Sequence, residues 1–328
     1  MQKSAKRLAI VGAGVAGLTL AQRMQSAGWS VTLIEKARGP GGRLSTRRRD
    51  GGQFDHGAQY FTARTEAFAR EISGWAREGW VEQWNGSFYR WLDSRLEPDP
   101  VDRPRWVGVP RMSGLTRALS AGLTIVTSSR VESLIRKDAA WAVHTESGEI
   151  HDGFDWVVLT CPGPQALALA PSGSPVAERA QQLNYAPCWA AMVESGADFI
   201  PEYDGLRLEH PILAWVARDS SKPGRPDGCR WVVHASAEWT EANIDATGED
   251  VARCMREAFE AVTGVQPTSV TVHRWLYALA SNDGGTGSCI DPTQSLGLCG
   301  DALLGGRVED AWLSAHHLAK SLLAIEQT

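Results

Sequence analysis

Near the start of the chain, Gly12-Ala13-Gly14-Val15-Ala16-Gly17 separates the run Arg7 to Val11 from a segment in which Leu18, Ala21 and Met24 recur at helical spacing. No other feature restricts the fold so tightly. The run reads as a short buried strand and the spacing as an amphipathic helix. Gly28-Trp29 closes that helix, Ser30 to Ile34 alternates as a second strand, and Glu35 stands 18 residues beyond Gly17 at its end. Each glycine has a task in such a unit: Gly12 permits the tight turn, Gly14 lets the backbone approach a pyrophosphate, and Gly17 allows close helix-strand packing. The helix N-terminus offers free N–H groups to phosphates. An acidic residue at the position of Glu35 accepts hydrogen bonds from ribose hydroxyls, which favours a free 2′-OH over a 2′-phosphate. The pattern predicts a dinucleotide site on Gly12, Ala13, Gly14, Ala16 and Gly17, with Glu35 and the adjoining Lys36. Without its flanks the motif would also fit an accidental glycine-rich turn.

The fingerprint alone does not separate one dinucleotide from another. Arg38-Gly39-Pro40-Gly41-Gly42-Arg43 follows the second strand directly and forms a second glycine-rich turn. It carries an arginine able to meet a phosphate as a planar, two-pronged donor. Two phosphate-facing turns in one βαβ unit suit a long dinucleotide, so FAD is expected, with Gly42 and Arg43 among its contacts.

The length of 328 residues suggests about two domains. With 43% hydrophobic and 22% charged residues, the composition is that of an ordinary globular protein. A net charge of −5 gives no general electrostatic reason to bind nucleic acid or an anionic membrane. Arg47-Arg48-Arg49 is the one basic cluster, read as a solvated loop or as a means of attracting an anionic nucleotide substrate. The lead Met1 to Arg7 is polar and no apolar stretch of signal-peptide or membrane-span length follows, so a cytoplasmic location is expected. The six cysteines, scattered without a CxxC or a Cys/His ligand spacing, are expected to be reduced thiols, and no metal is expected.

The series GxGxxG, Glu35, Gly41-Gly42-Arg43 resembles the large flavoprotein family that contains monoamine oxidases, polyamine oxidases, protoporphyrinogen oxidase and renalase. Leu296 to Asp301, followed by Gly305 to Ala311, resembles that family's last flavin-contacting segment, where a strand runs into a helix under the isoalloxazine. From the residues alone, a strand ending in Gly300-Asp301 and feeding the amphipathic stretch Ala311 to Leu323 is a strand-to-helix anion site. The resemblance implies that Asp301 holds the ribityl chain. It also implies that the helix start, with Val308, helps neutralise the flavin's pyrimidine end, and that Val131 places backbone groups near the adenine. Arg130-Val131-Glu132 and Asp155 to Thr160 read as strands of the same domain. Cys299 reads as core, the aromatic-Cys pair of monoamine oxidases is missing, and a non-covalent flavin is expected.

Within that family the best match is the renalase group, particularly its bacterial members, on the run Asp55 to Arg64 and on His273-Arg274-Trp275. That resemblance implies oxidation of the 2- and 6-dihydro isomers of β-NAD(P)H to NAD(P)⁺, two electrons passing through FAD to O₂ with release of hydrogen peroxide. The dihydropyridine is already a hydride donor, so the polypeptide mainly positions it and no acid-base residue is required. The expected partners are therefore a small dihydronicotinamide and O₂, with neither nucleic acid nor membrane. Amine or polyamine oxidation is the enzymatic alternative. Many of those relatives use a mid-chain lysine that holds a water against flavin N5, and here only Lys222 falls in the substrate domain, within Ser220 to Gly224, which reads as an exposed turn. A third reading follows the Rab escort and GDP-dissociation inhibitor proteins, which share such a fold and bind protein partners without redox work. Glu35, Arg43 and Asp301 argue against it.

By the same resemblance, Gly57, Gln59, Tyr60, Phe61 and Arg64 lie beside the isoalloxazine and substrate, with Gln59 and Tyr60 also counted as cofactor contacts. Trp275 is the preferred residue to stack on a nicotinamide, with Trp106 second, since an indole suits a planar ring. Arg307 could meet a substrate amide or phosphate, and Asn184 a carboxamide. His234 reads as a satisfied core histidine, His56 as local structure, and His316-His317 as helix surface. The predicted fold is α/β, with a Rossmann-like FAD-binding domain from residues 1–75, 104–183 and 283–328. A second, smaller α+β substrate domain takes residues 76–103 and 184–282.

Overall fold

The computed structural model describes residues 5–49, 52–92, 95–100, 102–196, 200–281 and 285–326. The chain divides into two units, one of Met1–Gly42, Thr116–Asn184 and Ala280–Thr328, the other of Arg43–Leu115 and Tyr185–Leu279. Residues 43–75 and 104–115 thus pack with the second unit, although the sequence reading placed them in the first. Their strands and turns carry no composition shift that would mark the crossing.

The first unit is built on a six-stranded sheet. Its order is Ser288–Asp291, Leu296–Cys299, Trp156–Leu159, Arg7–Val11, Ser30–Ile34 and Thr124–Val126, parallel except for the edge strand Ser288–Asp291. Leu8, Ala9, Ile10 and Val157 to Leu159 are fully buried. Unbroken burial of that kind belongs to parallel strands covered on both faces. The helix Val15–Ser26 buries Leu18, Ala21 and Met24 completely and packs on the last helix, Val308–Ile325. Its end is set by Gly28, whose φ of +87° few other residues adopt easily. A three-stranded antiparallel sheet, Val131–Lys137, Ala140–Thr145 and Ile150–Phe154, completes the unit.

The second unit is built on a seven-stranded sheet in the order Pro267–Ser281, Asn184–Ser195, Cys229–Ala235, Leu213–Arg218, Gly205–Leu208, Phe88–Leu92 and Arg95–Pro98. The helix Gly248–Thr263 supplies Val251, Met255 and Phe259 to a core with Trp231, Val233 and Val216. Thr247 caps its start by accepting from Asp250 N, and Gly264 ends it at a φ of +69°. Phe54, Met192 and Val232 form a second apolar cluster. Arg47–Arg49 is a strand paired with Gly52–Phe54 and not the loop anticipated from its charge, although all three arginines are exposed.

Candidate functional site

In the first unit the turn after Arg7–Val11 is held from both sides. Gly12 N donates to Ile34 O at 2.9 Å, and Thr160 Oγ1 donates to Gly12 O at 3.0 Å. Gly12 has a φ of +109°. A Cβ on Gly17 would lie 2.2 Å from Gly12 O, so glycine there is a packing requirement. Gly14 is different. It caps the helix Val15–Ser26 without a side-chain hydrogen bond, no acid sits in the helix's first turn, and a Cβ on it would meet nothing within 4 Å. The helix start therefore has free N–H groups and space in front of them, which fits a phosphate. Ala13 and Ala16 lie on this turn and are buried.

Glu35 is buried at 7% exposure and fixed at both oxygens: Ala13 N donates to Oε2 at 2.7 Å and Ala37 N to Oε1 at 2.8 Å. Ionised acceptors keep further lone pairs for hydroxyl donors. The second glycine-rich turn folds back on the first, Gly41 N donating to Ala13 O at 2.9 Å, and Gly42 has a φ of +54°. Lys36 is exposed, its Nζ 3.4 Å from Gln165 Oε1. Val131 opens the antiparallel sheet opposite Thr145.

The strand Leu296–Cys299 ends at Gly300, whose N–H donates to Ser314 Oγ at 2.8 Å, and a Cβ on Gly300 would meet nothing within 4 Å. The Asp301 carbonyl accepts from Leu304, Gly305 and Gly306 N–H groups, and the residue is 7% exposed. Arg307 caps the helix that begins at Val308; its N–H donates to Asp310 Oδ2 at 2.9 Å. Cys299 is buried, which raises its thiol far above the ordinary range, as a core residue requires. All six cysteines are free thiols. Among the described residues no group of three or more His, Cys, Asp or Glu is placed to hold a metal ion, and no helix is long and apolar enough to cross a membrane.

The second unit holds a buried ionic network that the sequence reading missed. Lys222 is no exposed turn residue. Its side chain is 0% exposed, with Nζ 2.6 Å from Asp219 Oδ1 and 3.1 Å from Gln59 Oε1. Arg225 donates to Asp55 and, at 2.7 Å, to Gly108 O. Asp55 also accepts from Met112 N at 3.0 Å and from Thr46 Oγ1 at 2.5 Å. Burial alone would raise the Asp55 carboxyl, but Arg225 and Lys222 outweigh it and hold it below the usual range. For Asp219, burial prevails over the pull of Lys222, and its carboxyl is raised. The Pro-Gly beside Lys222 pointed to a turn; the i,i+3 spacing of Asp219 and Lys222 was the available signal for an ion pair.

Gln59 is engaged at both ends, its Nε2 donating to Asp55 O and, at 3.0 Å, to Gly57 O. A Cβ on Gly57 would lie 2.0 Å from Arg43 O, so this glycine serves a chain crossing. Arg43 Nη1 donates to Ala278 O at 3.2 Å. Phe61 is buried against Phe68 and Trp75, and its backbone pairs with Trp106 through hydrogen bonds of 2.9 and 2.8 Å. Arg64 is exposed. Tyr60 sits among Trp215, Phe88 and Trp84 at 5.9 to 6.5 Å, with the Arg105 guanidinium 5.0 Å from its ring centre. Asn184 belongs to the first unit; its Nδ2 reaches Gln182 O at 3.4 Å.

Trp275 is part of an aromatic cluster. Its ring centre is 5.0 Å from His56 and 4.6 Å from His273, and its Nε1 donates to His56 O at 3.1 Å. His234 Nε2 meets the same carbonyl at 3.1 Å. Burial, then the neighbouring His273 and Arg47, pull the His56 imidazole down to about 3, and burial brings His234 to about 4. Both are neutral near pH 7. Of the pair read as helix surface, His317 is exposed, while His316 is half-buried, its ring tilted against Trp312 with centres 3.9 Å apart.

The sequence matches the NAD(P)-binding Rossmann-like domain over residues 10–72. It also matches the flavin containing amine oxidoreductase family over residues 98–323. A hydroxyneurosporene desaturase of Rubrivivax gelatinosus is 45% identical over 58 residues, 18% of this chain and 11% of the relative. A 4,4′-diapophytoene desaturase of Staphylococcus aureus (strain Newman) is 45% identical over 51 residues, 16% of this chain and 10% of the relative. The matches thus span about a tenth of those relatives' length. The fold is that of a protein assigned as a protoporphyrinogen oxidase from Exiguobacterium sp. 255-15, with a TM-score of 0.78 at 16% identity, covering 97% of this chain and 99% of that one. It is also that of a fatty acid isomerase from P. acnes that produces CLA, with a TM-score of 0.71 at 13% identity over 99% of both chains. A redesigned putrescine oxidase has a TM-score of 0.71 at 12% identity, over 98% of this chain and 100% of the other. With the nucleotide cradle of the first unit in place and the second match running over more than half of its length, the chain belongs to the flavin containing amine oxidoreductase family.

Proposed function

We propose that this protein is a renalase-like oxidase that binds FAD non-covalently and converts the 2- and 6-dihydro isomers of β-NAD(P)H to NAD(P)⁺. In balance, one dihydronicotinamide, one O₂ and one proton give NAD(P)⁺ and hydrogen peroxide. Bound FAD would supply the two-electron acceptor for the hydride and the route to O₂. The chain's own residues hold and orient. The free helix start at Gly14 and the open space at Gly14 and Gly300 receive phosphates and backbone, and Glu35 accepts from ribose hydroxyls. That open cradle, with Glu35 fixed beside it, also speaks against a partner-binding relative without redox work.

The observation that carries the choice of donor is the state of Lys222. Its burial removes one ground for setting amine oxidation aside, and amine oxidation is the second reading for that reason. Yet Nζ is committed to Asp219 and Gln59, inside a network that ties the Asp55 to Gln59 segment to residues 219–225. A lysine so engaged serves structure, and the neutral imidazoles of His56 and His234 are weak bases. A donor that needs only positioning suits these surroundings better than one that needs a proton removed. Anaerobic rapid mixing of the holoenzyme with the 2- and 6-dihydro isomers of NADH, and separately with mono-, di- and polyamines, tests the choice. The dihydronicotinamides are expected to bleach the flavin quickly and the amines slowly; the reverse order would establish amine oxidation.

A further inference from the structure

Arg47, Arg48 and Arg49 stand in one exposed strand on a chain of net charge −5. Among the described residues none of the three guanidinium groups has an acidic partner. Side chains alternate along a strand, so Arg47 and Arg49 share one face and Arg48 takes the other. The register agrees, with Arg47 opposite Phe54, Arg49 opposite Gly52, and Arg48 opposite Gln53.

The face of Arg47 leads to ring groups. Its Nη2 lies 3.4 Å from His273 Nδ1, and His273 packs edge-on against Trp275 at 4.6 Å and His56 at 4.9 Å. Burial first and then Arg47 push His273 toward the neutral form, so its ring nitrogen can accept from the guanidinium. His56 Nδ1, in a side chain 4% exposed, is buried and has no partner among the described residues. A solvated basic strand has no need of this arrangement. It sets the Arg47 guanidinium against His273, which itself packs on a flat indole and on an imidazole with an unused nitrogen, groups suited to a molecule with both a phosphate and a planar ring.

We infer that Arg47 and Arg49, with His273, form the phosphate-recognition surface for the nucleotide half of the substrate. The ligand class is a dinucleotide pyrophosphate, and the inference rests on the dihydronicotinamide reading above. Arg48, on the opposite face, takes no part beyond general charge.

The test compares Arg47→Gln, Arg49→Gln and Arg48→Gln holoenzymes with two donors, the 6-dihydro isomer of NADH and phosphate-free 1-methyl-1,6-dihydronicotinamide. For Arg47→Gln and Arg49→Gln the ratio of kcat/KM for the dinucleotide to that for the phosphate-free donor is expected to fall about tenfold or more, the size of a charge-assisted hydrogen bond. For Arg48→Gln the ratio is expected to fall less than about twofold, and the excess loss to shrink with salt. Equal losses in all three variants would mean diffuse steering and overturn the inference, as would an unchanged ratio. If neither donor reduces the flavin, the proposed reaction fails, and binding of ADP to the holoenzyme by titration calorimetry decides the surface separately. Weakening by about tenfold in Arg49→Gln but not Arg48→Gln sustains it; no binding, or equal binding, overturns it.

Discussion

Lys222 Nζ lies 2.6 Å from Asp219 Oδ1, with both side chains at or below 1% exposure. Ions withdrawn this far from water are stable only while each keeps its partner. Lys222→Met is expected to lower unfolding free energy by about 3–5 kcal/mol, because Asp219 is left charged or must take up a proton. The double variant Lys222→Met, Asp219→Asn should recover part of that loss. Urea denaturation of the two variants checks the order.

Acid should loosen the second unit before the usual carboxylate range is reached. The folded protein keeps His56 neutral down to about 3 and His234 down to about 4, whereas an unfolded histidine takes up a proton near 6.5. Between those values the unfolded state binds more protons, so stability falls as pH drops below about 6.5, by at most about 1.4 kcal/mol per pH unit for each group. Asp55, held low, adds stability that is lost only at still lower pH. Asp219, raised, acts in the opposite sense. Urea midpoints at pH 7, 6 and 5 should drop more steeply in the native protein than in His56→Leu.

Two glycines of one turn should fail differently. Gly17→Ala places a methyl 2.2 Å from Gly12 O and is expected to destabilise the fold by about 1–3 kcal/mol. Gly14→Ala meets nothing within 4 Å, so its melting temperature without cofactor should match the native value while flavin affinity falls. Thermal melts paired with flavin titration separate the two.

Glu35→Gln keeps the shape and removes the charge. One amide oxygen then serves Ala13 N and Ala37 N, and ribose donors lose an ionised acceptor. Flavin binding is expected to weaken by about 1.5–3 kcal/mol, measured by fluorescence quenching.

The flavin should leave with acid. Buried Cys299 lies in a core strand with its thiol raised, in no state to form a thioether, so trichloroacetic acid is expected to release all yellow colour to the supernatant. Colour kept in the pellet would contradict this.

The first unit was legible because local rules decide it. Strands Arg7–Val11 and Ser30–Ile34 and the intervening helix follow from periodicity, glycine placement and burial on both faces, all within 35 residues. Lys222 and Arg47 were incompletely read because part of their surroundings comes from far along the chain: Lys222 meets Gln59 163 residues away as well as nearby Asp219, and Arg47 meets His273 226 residues away. Pro, Gly or charge nearby describes only the local backbone. The packing of Phe61 against Phe68 and Trp75 follows from the helical pattern at Glu66–Arg77, which buries Phe68 and Trp75 on one face.

The parallel sheet of the first unit has a bearing on synthesis. Arg7–Val11 is flanked by Trp156–Leu159, which itself awaits Leu296–Cys299, and the first helix rests on one that ends at Ile325. The turn after Val11 is therefore made long before the strands and helix that support it, and the sheet beneath it closes only once residues 296–299 have been added. Removing the helix Val308–Ile325 should strip the support from the first helix and yield a colourless product.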